Sequence, residues 1–362
     1  MRVGVDVSIL SSPLTGIGRF ALSLVRALVR VDPSVEWILL GTPAGLAGLP
    51  QGPNVIMQRV DGLIGARRLV WQQLALPRVA SRLSLDVVHC PDFSRPHAVS
   101  VPVVNTIHDL SYYSPEAYFS FPSRLYKRAL TRLSVRSSTQ LVAVSRFTRE
   151  QLVRRFGVTA ESVPVIYHGA DAFPETSSPR ADRPFVLYVG TLEDRKNIPT
   201  LIEGYTVMRA GNSAPHRLVL AGKPGRGFDR IRAAVRASAF GNDIEVAGYV
   251  SAEKVREFYA SAHALVMPSV YEGFGLPVLE AMAAGTPVVC SRAASLPEVG
   301  GDAVEYFDPM SVDDLAAALS RVLHSDGLRA EMRRKGLARA KQFTWEECAR
   351  RYCEVYRTVA SG

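Results

Sequence analysis

Short runs of β-branched and aliphatic residues recur along the chain, and helical stretches separate many of them. In the first half they are residues 3–10 followed by a helical 17–31, then 35–40, 87–90, 101–107, 140–144 followed by a helical 146–156, and 162–166. Runs that are apolar throughout, alternating with helices, predict a mostly parallel sheet covered on both faces and built with right-handed crossovers. The pattern stops at residues 171–184, DAFPETSSPRADRP, whose proline, serine and charge are those of an inter-domain linker. It then restarts at 185–189, 217–221, 244–246, 264–267, 287–290 and 303–307, again interleaved with helices. Two α/β domains in tandem follow. Ligands of open parallel sheets bind beyond the carboxyl ends of the strands, so the chemistry is expected in the loops after those runs.

Composition agrees with two cores. The 362 residues exceed what one hydrophobic core usually serves, and 47% are hydrophobic against 21% charged. No run is apolar over the ~20 residues needed to cross a bilayer. The opening MRVGVDVSIL carries one Arg and an internal Asp, and reads as a first strand and not as a signal peptide. Cys90, Cys290, Cys348 and Cys353 lack metal-type spacing and read as small buried hydrophobes, which fits a reducing cytoplasm. The net charge of +9 is uneven, because residues 1–180 hold 20 Lys and Arg against 12 Asp and Glu, whereas the remainder holds 23 against 22. The first half is therefore expected to face something anionic.

The stretch richest in chemistry is residues 268–287, PSVYEGFGLPVLEAMAAGTP. Gly273 and Gly275 make a loop of little bulk after a strand, and Pro277 suits the first turn of a helix. Amides at that helix start favour an anionic group. Glu272 before the helix and Glu280 within it are acceptor-only carboxylates, suited to a sugar diol at one end and a ribose diol at the other. Both glutamates equally suit capping or solvation of the helix, and the residues alone do not choose.

The spacing in EGFGLPVLE, followed by AMAAGTPVVCS and SLPEVGGDA, resembles the large family of retaining glycosyltransferases with the GT-B fold, the GT4 or group 1 glycosyltransferases. The resemblance implies two Rossmann-like, doubly wound parallel-sheet domains facing an inter-domain cleft. These would be an acceptor-binding domain at 1–171, a linker at 172–184, and a nucleotide-sugar domain at 185–345. A C-terminal helix at 346–362 would pack back on the first domain. Carried over by position, Glu272 contacts the transferred hexose, Gly273, Phe274, Gly275 and Leu276 line the donor with backbone donors, and Glu280 holds the ribose. In YVGTLEDRKNI, Arg195 and Lys196 match the family's diphosphate-binding pair. An adjacent Arg and Lys are ordinarily just solvated surface, and it is position that assigns them. Thr191 stands where some members carry Arg, a form closer to the mannosyl- and rhamnosyltransferase branch. The resemblance also assigns His108 beside the donor hexose, with Asp109 next to it. Gly16 and Gly18 close over the donor phosphates, and Arg19 is a candidate acceptor contact. Gly222, Lys223, Gly248, Tyr249 and Val250 take the base. Ser145 and Phe147 match landmarks of mainly structural role, and His168 stands where the family often has Asn.

The implied reaction is transfer of a hexose, best read as mannose from GDP-mannose, to a glycan or lipid-pyrophosphate-linked acceptor in cell-surface polysaccharide or glycolipid synthesis. GDP-rhamnose or a UDP-sugar are alternative donors. No cofactor is expected. There is no Asp-x-Asp and no metal-ligand spacing, so a metal-free site is expected in which Arg195, Lys196 and the helix start carry the diphosphate charge. A nicotinamide enzyme built on Gly16, Gly18 and Ala21 is opposed by residues 11–15, which separate the glycines from the first strand, and by Gly41 and Thr42, where an acid is wanted. A phosphorylase-like enzyme would need a pyridoxal lysine. A catalytically silent sugar-nucleotide-binding protein on a membrane is the rival of another class. Arg124, Arg128, Arg132 and Arg136 recur at intervals of four beside Lys127, which predicts a basic helix face for an anionic membrane and a place on the inner surface of the cell membrane. A solvated face has the same spacing. Basic residues without interleaved aromatics or a recognised motif argue against nucleic acid.

Overall fold

The computed structural model describes residues 1–362 except 11–13, 15, 61–65, 115, 117, 172, 174–182 and 212–214. The chain forms two compact units, one of Met1–Gly169 with Thr344–Gly362 and one of Ala170–Phe343. The expected linker at 172–184 lies mostly outside the described residues.

The first unit holds a six-stranded parallel sheet of β1 (Arg2–Asp6), β2 (Glu36–Gly41), β3 (Val55–Arg59), β4 (Val87–Cys90), β5 (Val103–Ile107) and β6 (Gln140–Ala143), in the order β3-β2-β1-β4-β5-β6. Its inner strands are buried but for the first residues of β1 and β2, with all of β4 and β5 withdrawn from solvent. That is why they are nearly unbroken apolar runs and not alternating ones. β3 was not expected from the sequence, because it is a half-exposed edge strand with no uniform apolar run. Residues 162–166 were expected to be a strand. They make a single bridge, Ala143 with Val165, and so do not extend the sheet.

The helix Gly16–Val31 buries Phe20, Leu24 and Leu28 on one side and packs against the C-terminal helix Trp345–Ala360. Thr344 caps that helix, its Oγ1 accepting from Glu347 N at 3.1 Å. The chain passes Gly169 so closely that a Cβ there would strike the backbone of Thr344 and Trp345. The helix also supplies polar anchors to the sheet. Tyr356 OH meets His89 Nδ1 at 2.8 Å, His89 Nε2 meets Thr106 Oγ1 at 2.8 Å, and Thr106 Oγ1 meets Tyr352 OH at 2.8 Å. The first unit is therefore completed by the last residues of the sequence.

The second unit repeats the plan with β7 (Phe185–Val189), β8 (Arg217–Ala221), β9 (Ile244–Gly248), β10 (Ala264–Met267), β11 (Val288–Ser291) and β12 (Glu305–Phe307). Their order is β12-β11-β10-β7-β8-β9, all parallel. Numbered from its own first strand, this is the same doubly wound order as in the first unit. Each sheet thus has one switch point, between β1 and β4 and between β7 and β10, where successive connections leave in opposite directions. All four cysteines are buried as free thiols.

Candidate functional site

At the switch point of the second unit the loop after β7 meets the loop after β10. The first carries Arg195 and Lys196 in a short 3-10 turn, Asp194–Lys196, that ends on Asn197 with φ of 54°. The second carries Glu272, and Val270 N donates to Arg195 O at 3.2 Å to hold the two loops together. Glu272 is buried. Its Oε1 accepts from the Lys196 ammonium and from Ser269 Oγ at 2.7 Å, and its Oε2 lies 3.6 Å from Arg195 Nη1. Arg195 also donates through Nη1 to Tyr271 O at 3.2 Å and through Nε to Glu193 Oε1 at 2.8 Å. Burial pushes the Glu272 carboxyl up, but Lys196 and then Arg195 outweigh it and hold it below the usual carboxylate range. Burial and the neighbouring Arg195 lower the Lys196 ammonium against the pull of Glu272, so the carboxylate lies between two basic groups of which Arg195 is the firmer cation.

The loop that carries Glu272 is fixed from beneath. Ser295 Oγ donates to Glu272 O at 3.0 Å and to Phe274 O at 2.9 Å, and Ser291 Oγ donates to Ser269 O at 2.5 Å. Gly275 precedes the helix Leu276–Ala283 with φ of 105°, a backbone state that side chains resist. Phe274 is buried with its ring T-shaped to Phe343 at 6.1 Å, so only its backbone is placed to meet a ligand. Within the helix, Glu280 Oε2 accepts from Tyr259 OH at 2.8 Å.

The expected base loops lie along the same edge. Gly190 N donates to Ala221 O at 3.0 Å, Leu192 N to Lys223 O at 2.9 Å and Gly222 N to Gly248 O at 2.7 Å, which stitches the ends of β7, β8 and β9 together. Tyr249 beyond them is exposed.

The first unit places its expected residues less uniformly. His108 follows β5, its Nε2 donates to Pro91 O at 2.9 Å, and its ring stands T-shaped to Phe20 at 4.7 Å. Burial lowers its pKa to about 4 against the opposing pull of the Pro91 carbonyl and of Asp109. A neutral imidazole that gives Nε2–H to a carbonyl keeps only Nδ1 as an acceptor. Asp109 turns away into its own loop, its Oδ1 accepting from Ser111 N at 3.0 Å and Ser111 Oγ at 2.7 Å. Gly16 and Gly18 open the helix Gly16–Val31 with Arg19 half-buried beside them, while most of the loop before them, residues 11–13 and 15, lies outside the described residues. His168 is buried with its ring 5.3 Å from that of His108.

Family models for "Glycosyl transferases group 1" and "Glycosyltransferase Family 4" match residues 170–339 and 14–172. An "O-antigen chain mannosyltransferase B" of Escherichia coli is 32% identical, over 96% of this chain and 97% of its own length. The chain belongs to the group 1 glycosyltransferases. A "Glycogen synthase" of Mycobacterium tuberculosis is 30% identical over 99% of this chain and 92% of its own. Among solved structures, the sucrose-phosphate synthase of Thermosynechococcus elongatus superposes with a TM-score of 0.79 at 20% identity, covering 100% of this chain and 99% of its own. The fold is thus GT-B.

This glycosyltransferase also carries site residues that sequence reasoning missed. Ser269, Ser291 and Ser295 orient the Glu272 loop, yet buried serines have no periodic signal. At the switch point of the first unit, Arg68 donates through Nη1 to Asp92 Oδ2 at 2.8 Å and through Nε to Ser8 Oγ at 2.9 Å, and its Nη2 lies 3.3 Å from Asp6 Oδ2. Both carboxylates are fully buried, so this cluster locks the loops after β1 and β4 as Glu272, Arg195 and Lys196 lock those after β7 and β10.

Proposed function

We propose that this glycosyltransferase moves mannose from GDP-mannose to a glycan or lipid-linked acceptor of a cell-surface polysaccharide, with retention of configuration and without a divalent metal. The observation that carries the chemistry is the buried Glu272 carboxylate set between Lys196 and Arg195 at the carboxyl edge of β7 and β10. In this reading the carboxylate accepts hydrogen bonds from hydroxyls of the hexose, while Arg195 and Lys196 take the diphosphate. The C1–O bond to the diphosphate breaks, and the acceptor hydroxyl forms its bond to C1 from the same face. Its proton passes to a diphosphate oxygen. The two cations and the amides at the start of Leu276–Ala283 offset the charge that gathers on the leaving group, which is where fixed charge lowers a barrier most. Glu280, steadied by Tyr259, holds the ribose, the loops of Gly222 and Gly248 receive the base, and His108 accepts from a substrate hydroxyl through Nδ1.

Support for mannose is the full-length likeness to a mannosyltransferase. The likeness to a glycogen synthase keeps a non-mannosyl donor as the second reading. Thermal melts with GDP, UDP and ADP separate the two, since a nucleotide at 100 times its Kd stabilises by about 2.7 kcal/mol. GDP is expected to raise the melting temperature most, GDP-mannose to be turned over, the product to be the α-anomer, and EDTA to leave the rate unchanged. A larger shift with UDP or ADP refutes the donor, and a β-product refutes retention.

A further inference from the structure

The loop after β7 carries a carboxylate that the proposed reaction does not use. Glu193 stands in extended backbone just before the turn Asp194–Lys196, and its Oε1 lies 2.8 Å from Arg195 Nε. The backbone around it is tied on both sides, with Leu192 N donating to Lys223 O at 2.9 Å, Asp194 N to Arg226 O at 3.0 Å and Lys196 N to Glu193 O at 3.0 Å. Gly225 makes room for the side chain, since a Cβ there would come within 2.9 Å of Glu193 Cβ. The Glu193 side chain is 25% exposed and that of Glu272 9%, so Glu193 stands at the open rim of the cluster. Its charge still reaches inward, where it favours the Lys196 ammonium after the larger contribution of Glu272.

Two basic groups, Arg195 and Lys196, are thus matched by two carboxylates before any ligand arrives. Arg226 and Arg230, in the loop after β8 and the helix that follows it, are matched by Asp194, whose carboxylate oxygens lie 3.9 Å from Arg226 Nε and 3.5 Å from Arg230 Nη1. A site built only to grip a diphosphate gains nothing from a second carboxylate on its guanidinium, which weakens the attraction for an anion. Glu272 has a role in the transfer. Glu193 is not needed to hold Arg195 as an anion, because the amide oxygen of a glutamine would accept from Arg195 Nε as well. What the charge of Glu193 adds is a penalty that grows with the charge of the ligand.

We infer that Glu193 is a specificity-determining residue that keeps the diphosphate pocket near neutrality, so that the sugar nucleotide is held and the more negative nucleoside diphosphate product is released. Its role rests on Arg195 and Lys196 being the partners of the diphosphate, as proposed above. The two ligands share base, ribose and both phosphorus atoms, and differ in the hexose and in charge. In the sugar nucleotide both phosphates are esterified, with about two negative charges between them, whereas the product ends in a free phosphate whose second proton leaves near pH ~6 and which brings about one charge more. A carboxylate on the guanidinium weakens both ligands, and the product further.

The test is titration calorimetry of the full-length protein, without acceptor, using GDP beside GDP-mannose and UDP beside UDP-glucose, for wild type and Glu193→Gln. At roughly threefold per unit of ligand charge, the variant should bind the sugar nucleotide about tenfold and the nucleoside diphosphate about thirtyfold more tightly at pH ~7.5. The difference between the two ligands should close at pH ~5.5, where the terminal phosphate is protonated. In turnover assays the ratio of the product inhibition constant to KM should fall about threefold. Equal tightening of both ligands, or no change in either, overturns the inference. So does weaker binding of both, which would make Glu193 a strut for Arg195. If neither GDP nor UDP binds the wild-type protein, the diphosphate reading falls and takes the role of Glu193 with it. If one binds and Arg195→Ala weakens it while Glu193→Gln changes nothing, the diphosphate reading stands and only the role of Glu193 falls.

Discussion

The pairing of Glu272 with Lys196 predicts a large and non-additive effect on stability. In Glu272→Gln the amide oxygen still accepts from Lys196 and Ser269, so packing is kept and only the charge is lost. The buried Lys196 ammonium then loses the carboxylate it touches, while Arg195 keeps Glu193. Breaking a buried pair from one side typically costs 3–5 kcal/mol, and the retained hydrogen bonds argue for about 3 kcal/mol here. Lys196→Met strands the carboxylate instead, with Arg195 at 3.6 Å as its remaining cation, and should cost about 2–3 kcal/mol. Removing both charges leaves no uncompensated ion, so the double variant should lose only about 1–2 kcal/mol, a coupling of about 3–5 kcal/mol.

The chain supplies its own means of reading this. Its three tryptophans, Trp37, Trp71 and Trp345, all fall in the first unit. Tryptophan fluorescence in denaturant therefore times the unfolding of that unit, and the far-UV circular dichroism beyond it times the second. The single variants should move the second transition, by about 2–4 °C per kcal/mol in thermal melts. The pH dependence has a definite sign. A carboxyl held below its unfolded value of about 4.3 stabilises fully above that pH, and the contribution is lost as pH falls through the folded value. The gap between wild type and Glu272→Gln should be constant above about pH 5 and close on acidification. Additive single effects of about 0.5 kcal/mol or less, or a gap indifferent to pH, would refute the claim that this carboxylate is buried between two cations.

Burial lowers His108 to about 4 and His89 to about 3, so the first unit, read by tryptophan fluorescence, should lose stability as pH drops below about 6.5, at up to about 1.4 kcal/mol per pH unit for each histidine. A midpoint flat from pH 7 to 5 would contradict their burial. Gly275→Ala puts a side chain at φ of 105° with its Cβ 2.8 Å from Leu296 Cδ2, and should cost about 1–2 kcal/mol in the second transition and weaken nucleotide binding in calorimetry. Tyr356→Phe leaves His89 Nδ1 without its hydroxyl partner and should cost about 1–3 kcal/mol in the first transition. Tyr259→Phe removes a hydrogen bond from Glu280 and should raise KM for the donor severalfold with kcat nearly unchanged, whereas an equal fall in both would argue against a ribose role.

Strands buried on both faces were the legible part of the fold, because burial forces them into nearly unbroken apolar runs. Phe185–Val189, Arg217–Ala221 and Ala264–Met267 could each be read to the residue. An edge strand carries no such constraint. Val55–Arg59 keeps Gln58 and Arg59 half or fully exposed, and residues 162–166 have the apolar run without the sheet. In the site, Glu272, Arg195 and Lys196 were legible as types, but the direct contact between them was not. Lys196 and Glu272 are 76 residues apart, and only the adjacency of β7 and β10 brings them together. The same holds for Asp6 and Arg68, which are 62 residues apart and meet across the other switch point.

The helix Phe121–Ser137 shows a deeper limit. Its arginines at intervals of four define a stripe, and periodicity says which residues share a side of a helix but not which side faces the core. Apolar residues usually decide that, yet here they occur on both sides, with Val135 inward and Leu125 and Leu133 outward. What turns the helix is the group of rings presented by Phe93, Tyr112 and Phe119, which draws the Lys127 ammonium to within 6 Å of all three. A cation over aromatic faces competes well with an aliphatic side chain for a partly wet position, since leucine gains only by leaving water and the ammonium also gains from the ring electrons. The leucines displaced by that choice are the ones left outside. The exposed apolar side and the inward lysine thus go together, so replacing Phe119 by Ala should loosen Lys127 and cost the first transition, read by tryptophan fluorescence, about 1–2 kcal/mol, and an unchanged midpoint would refute that account.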